Sequence, residues 1–212
     1  MQDADRGYRV ALVTGATGAI GKAITLGIAA QPGYRVVLLC RDAQKAERAV
    51  DEIVAFTANE HVNHEIVDVS SRDSIEAFAR GFQQPVHVLV NNAATTPRRR
   101  LETATGIELQ FATNVLGYFW LTRALLEQLR AASPARVVNV ASYWAGDLDL
   151  DDPEFKRRAY NNDTAYRASK QADRMLTVAF AIAPTRHPSA DLRSPSGSGR
   201  SLRDCGDSVR PA

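Results

Sequence analysis

Short hydrophobic runs alternate along the chain with longer segments whose apolar residues recur every three to four positions. The runs are rich in Val, Ile and Leu and predict strands over residues 9–15, 34–42, 62–70, 86–94 and 135–142. The helical periodicity predicts helices over residues 22–33, 43–58, 72–82, 106–132 and 166–183. Because strands that alternate with helices pair in parallel through helical crossovers, the pattern predicts an α/β fold with a doubly wound parallel sheet.

The composition of the chain changes after Ala183. Of the last 29 residues, 18 are Pro, Ser, Gly or Arg, and no hydrophobic period continues among them. We therefore expect one folded domain over residues 1–183, followed by a disordered tail over residues 184–212.

Charge and cysteine content narrow the class of protein. The net charge is +2, and residues 184–212 hold five Arg and three Asp, so residues 1–183 are neutral overall. A chain without a basic face is a poor candidate for binding nucleic acid. Cys40 and Cys205 fall in a predicted buried strand and in the tail, which argues against a disulfide framework. The two cysteines thus favour a reducing cytoplasm, and because no apolar run reaches the roughly 20 residues of a membrane span we expect a soluble protein.

A glycine-rich turn follows the first predicted strand, in the segment VTGATGAIGK. Gly15, Gly18 and Gly21 would let the backbone turn tightly and approach a pyrophosphate, while the next helix offers free N–H groups to the phosphate oxygens. A tight strand-to-helix turn that binds nothing is the alternative. The flanking strand and helix favour a dinucleotide site.

The second predicted strand ends with a cation and an acid, Arg41 and Asp42. An acid at this point binds the ribose hydroxyls of NAD, whereas a cation pairs with the extra phosphate of NADP. Arg41 comes first, so NADP(H) is preferred and NAD(H) is the alternative; a solvated charge pair at a helix start is the competing interpretation. Asp68 ends the third strand, where it would accept from the adenine amino group or cap the next helix.

A second group of polar residues carries candidate chemistry. Tyr166 and Lys170 are four residues apart, so on a helix they share one face, and a nearby ammonium favours the phenolate form of a tyrosine. Ser142 follows the fifth strand at the sheet edge where such folds bind ligands, and its hydroxyl would bond a substrate carbonyl. Asn114 lies in the long fourth helix, where its amide would hold a relay water. Singly, each of these residues is better explained as an ordinary surface or strand-end residue.

Taken together and in this order, the motifs TGATGAIG, NNAA, TNVLGYFWLT, VVNVAS and YRASK resemble those of the short-chain dehydrogenase/reductase family over residues 9–183. The resemblance implies a Rossmann-like sheet of strand order 3-2-1-4-5 and a catalytic tetrad of Asn114, Ser142, Tyr166 and Lys170. It also implies that Lys170 bonds the nicotinamide ribose and that Asn92 and Ala93 line the cofactor. The segments GK, CRD and the long insert before Tyr166 are most similar to its retinol-dehydrogenase-like branch.

The predicted cofactor contacts are drawn from the glycine turn and from the ends of the strands. They are Gly15, Thr17, Gly18, Ile20, Gly21, Arg41, Asp68, Val69, Asn92, Ala93 and Lys170. No metal ligands are predicted, because Asp147, Asp149, Asp151 and Asp152 lie in a polar segment without a matching histidine and are expected to be solvated.

Three features depart from the family pattern. The glycine spacing is Gly-x-x-Gly-x-x-Gly, as in the extended epimerase-like branch, and Ala94 stands where the family usually has a glycine, which predicts strain if that turn needs a positive φ. No sixth or seventh strand is recognisable after Ala183. Because catalysis depends on precise placement of the nicotinamide, we expect weakened or absent turnover if these strands are missing.

These residues predict an oxidoreductase that moves hydride between NADP(H) and a small hydrophobic carbonyl or alcohol. Tyr166 is the predicted acid/base, Lys170 its activator, Ser142 the group that polarises the carbonyl and Asn114 the anchor of the relay. A catalytically silent nucleotide-binding or dimerising remnant is the alternative from another class, and a nucleotide-sugar epimerase or dehydratase is a further one. The apolar face of the fourth helix is expected to be core, and the remainder of that helix is a candidate surface for a homodimer; the face consists of Phe111, Val115, Phe119, Thr122, Leu126 and Leu129.

Overall fold

The computed structural model of the chain describes residues 7–182, so the predicted tail over residues 184–212 lies outside the described residues. Within them the chain forms a five-stranded parallel sheet of order β3-β2-β1-β4-β5. The strands are β1 (Arg9–Thr14), β2 (Tyr34–Cys40), β3 (Val62–Ile66), β4 (Val88–Asn91) and β5 (Arg136–Asn139). The predicted α/β class and strand order are confirmed.

Alternate residues of each strand point to opposite sides of the sheet, so both faces carry apolar side chains. Helices cover both faces. They are α1 (Ala19–Ala29), α2 (Ala43–Thr57), α3 (Arg72–Gly81), α4 (Leu109–Phe111), α5 (Gly117–Ala124), α6 (Leu126–Ala131) and α7 (Asn162–Ile182). One core joins the sheet to α1 and α2 through residues such as Ala11, Val13 and Ile53. The other joins it to α3, α5 and α6 through residues such as Leu12, Ile75 and Leu121.

The predicted fourth helix over residues 106–132 is wrong as a single element. The segment begins as α4, widens into a π-helical turn at Ala112–Leu116 and continues as α5 and α6, which meet at Leu125. The start of α5 also lies close to the connection between β3 and α3, since a Cβ at Gly117 would lie 2.6 Å from the Val69 carbonyl oxygen. π-helical turns of this kind are frequent at functional sites, and this one carries Asn114.

Other element boundaries moved by a few residues. α1 begins at Ala19 and α7 at Asn162, both earlier than their periodicity predicted, and β3, β4 and β5 are shorter than predicted. The expected strain at Ala94 is absent, because it is not among the described non-glycine residues with a positive φ, which are Ala58, Asp147 and Phe155.

Strand β5 is the edge of the sheet within the described residues, and apolar side chains are exposed there. Val137 and Val138 are 37% and 46% exposed, and Val178 on α7 is 60% exposed.

No helix in the described part of the chain is long and apolar enough to cross a membrane. Phe119, which was predicted to lie in the core, is 38% exposed and stacks on Phe180 of α7 with ring centroids 5.9 Å apart.

Candidate active site and nucleotide cleft

The glycine turn lies between β1 and α1, at one wall of a cleft of about 710 Å³. Gly15 has a φ of 63°, and a Cβ there would lie 2.8 Å from the Cα of Ala93. A Cβ at Gly21 would lie 2.3 Å from the carbonyl oxygen of Gly15. The packing of the protein itself therefore requires glycine at both positions.

Gly18 is a glycine that the packing of the protein does not require. A Cβ at Gly18 would meet only the carbonyl oxygen of Gly15, at the ordinary contact distance of 3.4 Å. Gly18 is also the N-cap of α1, no side chain caps that helix, and the apolar Ile20 beside it is 64% exposed. An open helix N-terminus with a glycine facing the cleft fits the pyrophosphate of a dinucleotide.

The loop after β4 is fixed against β1 by the Thr14 hydroxyl. This oxygen accepts hydrogen bonds from the backbone N–H groups of Asn92 and Ala93 at 2.8 and 2.9 Å, while the Asn92 amide donates to the Thr14 carbonyl at 2.9 Å. Thr14 is buried, so these bonds are shielded from water. They hold Asn92 and Ala93 at the cleft.

Most of the predicted cofactor contacts line one cleft. They are Gly15, Thr17, Gly18, Ile20, Gly21, Arg41, Val69, Asn92 and Ala93. Asp68 and Lys170 do not line it. The Asp68 carboxylate accepts from the Ser70 backbone N–H at 2.9 Å and from the Ser70 hydroxyl at 2.7 Å. The alternative in which Asp68 caps the next helix is wrong, because Ser71 is the N-cap of α3.

Arg41 and Asp42 have different roles at the end of β2. Asp42 is the N-cap of α2, and its carboxylate accepts from the Lys45 backbone N–H at 3.0 Å. That hydrogen bond, the largest of several causes, lowers the pKa of Asp42. Arg41 is exposed at the cleft and forms no hydrogen bond or ion pair with any other residue of the range 7–182. Its guanidinium is therefore available to an anionic ligand.

Asn114 sits fully buried in the π-helical turn, where its amide connects two parts of the chain. Its Oδ1 accepts from the Thr95 N–H at 2.8 Å, and its Nδ2 donates to the Thr95 carbonyl at 3.2 Å and to the Ser169 hydroxyl at 3.1 Å. These bonds tie the loop after β4 to α7. They also compete with the predicted use of this amide to hold a relay water.

Tyr166 and Lys170 lie one turn apart on α7, but no hydrogen bond joins them. The ammonium of Lys170 donates instead to the Val140 carbonyl at 2.8 Å and to the Asp173 carboxylate at 2.9 Å, and it lies 3.4 Å from the Tyr118 hydroxyl. Tyr166 is half-buried, and its hydroxyl makes no hydrogen bond within the described chain. The predicted contact of ammonium and phenol is replaced here by a buried ion pair.

Ser142 is half-buried just after β5, two residues beyond the Val140 carbonyl that Lys170 binds. Its hydroxyl accepts from the Trp144 N–H at 3.2 Å, and its carbonyl accepts from the Arg174 guanidinium of α7 at 2.8 Å. With the bond from the Asn139 amide to the Thr177 hydroxyl at 2.9 Å, the end of β5 is attached to α7 at three points. No hydrogen bond between Ser142 and Tyr166 occurs in residues 7–182.

The segment between β5 and α7 presents aromatic side chains beside Ser142. Tyr143 is 94% exposed and Trp144 is 64% exposed, and with Arg167 they line a second cleft of about 470 Å³.

The expectation that the acids of the segment between β5 and α7 are solvated is wrong for Asp152. That side chain is 5% exposed and accepts from the backbone N–H groups of residues 156–158 at 2.7 to 3.3 Å.

Three polar residues of the site were not predicted from the sequence. Tyr118 and Asp173 contact the Lys170 ammonium, and both are buried. Gln110, with its amide oriented to satisfy its neighbours, donates to the Thr95 carbonyl at 2.8 Å and accepts from the Tyr166 N–H at 3.2 Å. The helical spacing of Lys170 and Asp173 was a usable signal, because residues three apart on a helix are neighbours.

Comparison with known proteins agrees with the resemblance seen in the motifs. The family model described as short chain dehydrogenase matches residues 9–187. Retinol dehydrogenase 13 of Homo sapiens is 38% identical over 174 residues, which are 80% of this chain and 52% of that protein. Retinol dehydrogenase 11 of Homo sapiens is 39% identical over 178 residues, which are 82% of this chain and 55% of that protein.

A solved structure adds a likeness in three dimensions. A metagenomic short-chain oxidoreductase in complex with NADP has a TM-score of 0.66 and 29% identity, and the match covers 82% of this chain and 74% of that one. The chain spans about half the length of the retinol dehydrogenases that it matches.

Proposed function

Because this chain belongs to the short-chain dehydrogenase/reductase family, we propose that it moves hydride between NADP(H) and a carbonyl or alcohol group of a small hydrophobic molecule. The retinol dehydrogenases among its relatives favour the retinol-dehydrogenase-like branch of that family. Tyr166 is the acid/base, Lys170 sets the charge beside it, and Ser142 polarises the substrate oxygen.

The convergence of three elements on the end of β5 carries the proposal. Lys170 reaches from α7 to the Val140 carbonyl at 2.8 Å, and Asn114 reaches from the π-helical turn to Ser169 at 3.1 Å. Ser142 follows at the same end of the strand. The glycine turn leaves β1 at this edge too, because parallel strands end on the same side of a sheet. The turn would hold the pyrophosphate of the cofactor, and Ser142 and Tyr166 would bind the substrate oxygen at the same edge of the sheet.

The chemistry of the reduction balances with the groups present. The nicotinamide cofactor, when bound, supplies hydride to the carbonyl carbon. The Tyr166 hydroxyl gives its proton to the carbonyl oxygen, so the product is the alcohol and the phenol becomes phenolate. The Ser142 hydroxyl donates a hydrogen bond to the same oxygen and stabilises the charge that develops on it. In alcohol oxidation the phenolate takes the proton back.

Arg41 supports the choice of NADP(H) as cofactor, and the exposed aromatic side chains beside Ser142 support an apolar substrate. Arg41 has no charged partner among residues 7–182 and would bind the 2′-phosphate of NADP at the end of β2, whereas Asp42 is occupied as a helix cap. The exposed Tyr143 and Trp144 beside Ser142 would pack against an apolar substrate. The homodimer and the cytoplasmic location remain predictions.

The test separates binding from turnover in the full chain. NADPH should quench the fluorescence of Trp144, and a panel of apolar aldehydes and ketones should be reduced with NADPH. Tyr166→Phe should keep NADPH binding within about twofold and lower kcat by roughly 100-fold or more, because it removes the transferable proton. Tyr34→Phe, which removes a hydroxyl from β2, is the matched control and should leave both unchanged.

Two other outcomes would contradict parts of the proposal. Binding without turnover in the unmodified chain would select the silent nucleotide-binding alternative. Turnover that survives Tyr166→Phe would refute the assignment of the acid/base.

A further inference from the structure

A buried carboxylate, Asp173, contacts the Lys170 ammonium at the proposed site. Lys170 Nζ lies 2.9 Å from Asp173 Oδ2, and the side chains are 2% and 0% exposed. The two residues are three apart on α7, so one helix face carries both. The predicted tetrad does not include this acid.

The environment of the pair fixes the position of the ammonium. Lys170 Nζ also donates to the Val140 carbonyl at 2.8 Å and lies 5.1 Å from the centre of the Tyr118 ring. Asp173 is fixed in turn by the body of α7, since its backbone carbonyl accepts from the Thr177 hydroxyl at 2.7 Å. The ammonium is thus held at the end of β5 between the Val140 carbonyl and the Asp173 carboxylate.

The pair is poorly explained by a role in stability alone. Removing two charges from water costs about as much as their attraction returns, so buried ion pairs contribute little net stability. The second oxygen of the carboxylate, Oδ1, is buried and accepts no hydrogen bond from any described residue. An arrangement that served packing alone would satisfy both oxygens.

The negative charge of Asp173 acts on one phenol of the site, Tyr118. Burial, the charge of Asp173 and then Tyr166 raise the pKa of Tyr118, which therefore stays neutral. Burial raises the pKa of Asp173 to about 6, although the Lys170 ammonium lowers it. The carboxylate is mostly ionised at neutral pH, and at 2.9 Å from Lys170 Nζ it offsets the positive charge of that ammonium.

We propose that Asp173 is a positioning residue that holds the Lys170 ammonium at the end of β5 and, by partly neutralising it, sets the pH at which Tyr166 exchanges its proton with the substrate. This inference rests on the proposed function. The titratable groups that face the pair in the described chain are Tyr118 from α5 and Tyr166 from α7, and the neighbouring Arg174 is bonded to the Ser142 carbonyl.

The direction of the effect follows from the signs of the charges. Replacing Asp173 by the isosteric Asn removes the negative charge but keeps an oxygen that accepts from Lys170. The ammonium then acts on the neighbouring phenol uncompensated and favours the phenolate form of Tyr166. Alcohol oxidation, which needs the phenolate, should reach its half-maximal kcat/KM at a correspondingly lower pH.

The experiment titrates Tyr166 directly in the full chain. Tyrosine labelled with ¹³C at Cζ reports each phenol by NMR, and the Tyr166→Phe variant identifies the signal. The signal is followed against pH in the unmodified chain, in Asp173→Asn and in the control Asp51→Asn, which removes an exposed acid from α2. Asp51→Asn should leave the Tyr166 signal unchanged.

The pH dependence of alcohol oxidation by the same proteins is the second readout. A Tyr166 titration that moves by less than about 0.3 unit in Asp173→Asn, or that moves upward, would overturn the inference. If Asp173→Asn does not fold, Asp173→Glu takes its place. It keeps the charge but displaces the ammonium, so kcat should fall while the midpoint of the pH profile stays.

The two proposals fail in different ways. A chain that never turns over any carbonyl, yet shows the shift of the Tyr166 titration, would refute the proposed function and leave the role of Asp173 standing. A chain that turns over normally with an unshifted titration would refute the role of Asp173 alone.

Discussion

A Cβ on Gly21 would lie 2.3 Å from the carbonyl oxygen of Gly15, closer than any side-chain carbon can approach. The same atom would lie 2.6 Å from the Asn92 amide nitrogen, so the turn between β1 and α1 and the loop after β4 meet at this glycine. The shape of the nucleotide cleft therefore depends on the absence of one methyl group.

Replacement of Gly21 by Ala should destabilise the fold and abolish cofactor binding. The new methyl forces the turn away from the Gly15 carbonyl, and overpacking of this kind costs about 3 kcal/mol. Urea unfolding measures the loss, and tryptophan quenching by NADPH measures binding. Gly27 lies on the same helix with no atom within 4 Å of an added Cβ. Gly27→Ala should instead stabilise the protein by about 0.5–1 kcal/mol, and equal effects of the two changes would contradict the prediction.

Removal of the Arg41 side chain should weaken binding of NADPH and not of NADH. Only NADPH carries the 2′-phosphate, and a charge-assisted hydrogen bond contributes about 1.5–3 kcal/mol, so Arg41→Ala should raise the Kd for NADPH by roughly tenfold or more. Titrations of both cofactors measure the two constants. Arg48→Ala removes an exposed arginine of α2 that does not line the cleft, and it should alter neither constant. A parallel loss of both cofactors in Arg41→Ala would count against a phosphate contact.

The stability of the fold should fall as the pH drops below about 6.5 because of His87. Its Nδ1 accepts the Val10 backbone N–H at 3.0 Å, and this requires a neutral ring. Burial, followed by the charge of Arg9, lowers the pKa of His87 from its ordinary value of 6.5. The unfolded chain therefore binds more protons below that pH, so this contribution to stability is present above pH 6.5 and is lost on acidification.

Urea unfolding at pH values from about 7.5 to 5.5 measures this loss. The two limits lie about one unit above and about one unit below the ordinary pKa of histidine. His87→Asn keeps an acceptor for Val10 without the titration, so its unfolding free energy should depend less on pH. His64→Asn in β3 is the control and should follow the unmodified chain. The same pH dependence in all three proteins would exclude His87 as the source.

The alternation of hydrophobic runs and helical periods determined the α/β fold and the five strands. The runs of the central strands are buried on both faces, and residues such as Leu12 and Leu38 are inaccessible in the structure. The glycine turn was predictable for a similar reason. The geometry that Gly15 and Gly21 make possible is local, so the sequence between β1 and α1 was sufficient to predict it.

Only the tertiary structure decided how the polar residues are paired. Tyr166 and Lys170 carry the right helical spacing, yet Lys170 bonds Val140 and Asp173 rather than the phenol. The spacing of two residues in the sequence determines whether they share a helix face. The rotamer of a long side chain such as Lys170 depends also on the carbonyl and charged groups that the tertiary structure places around it. The π-helical turn at Asn114 has the same origin, because its bonds to Thr95 and Ser169 cross between elements that are distant in the sequence.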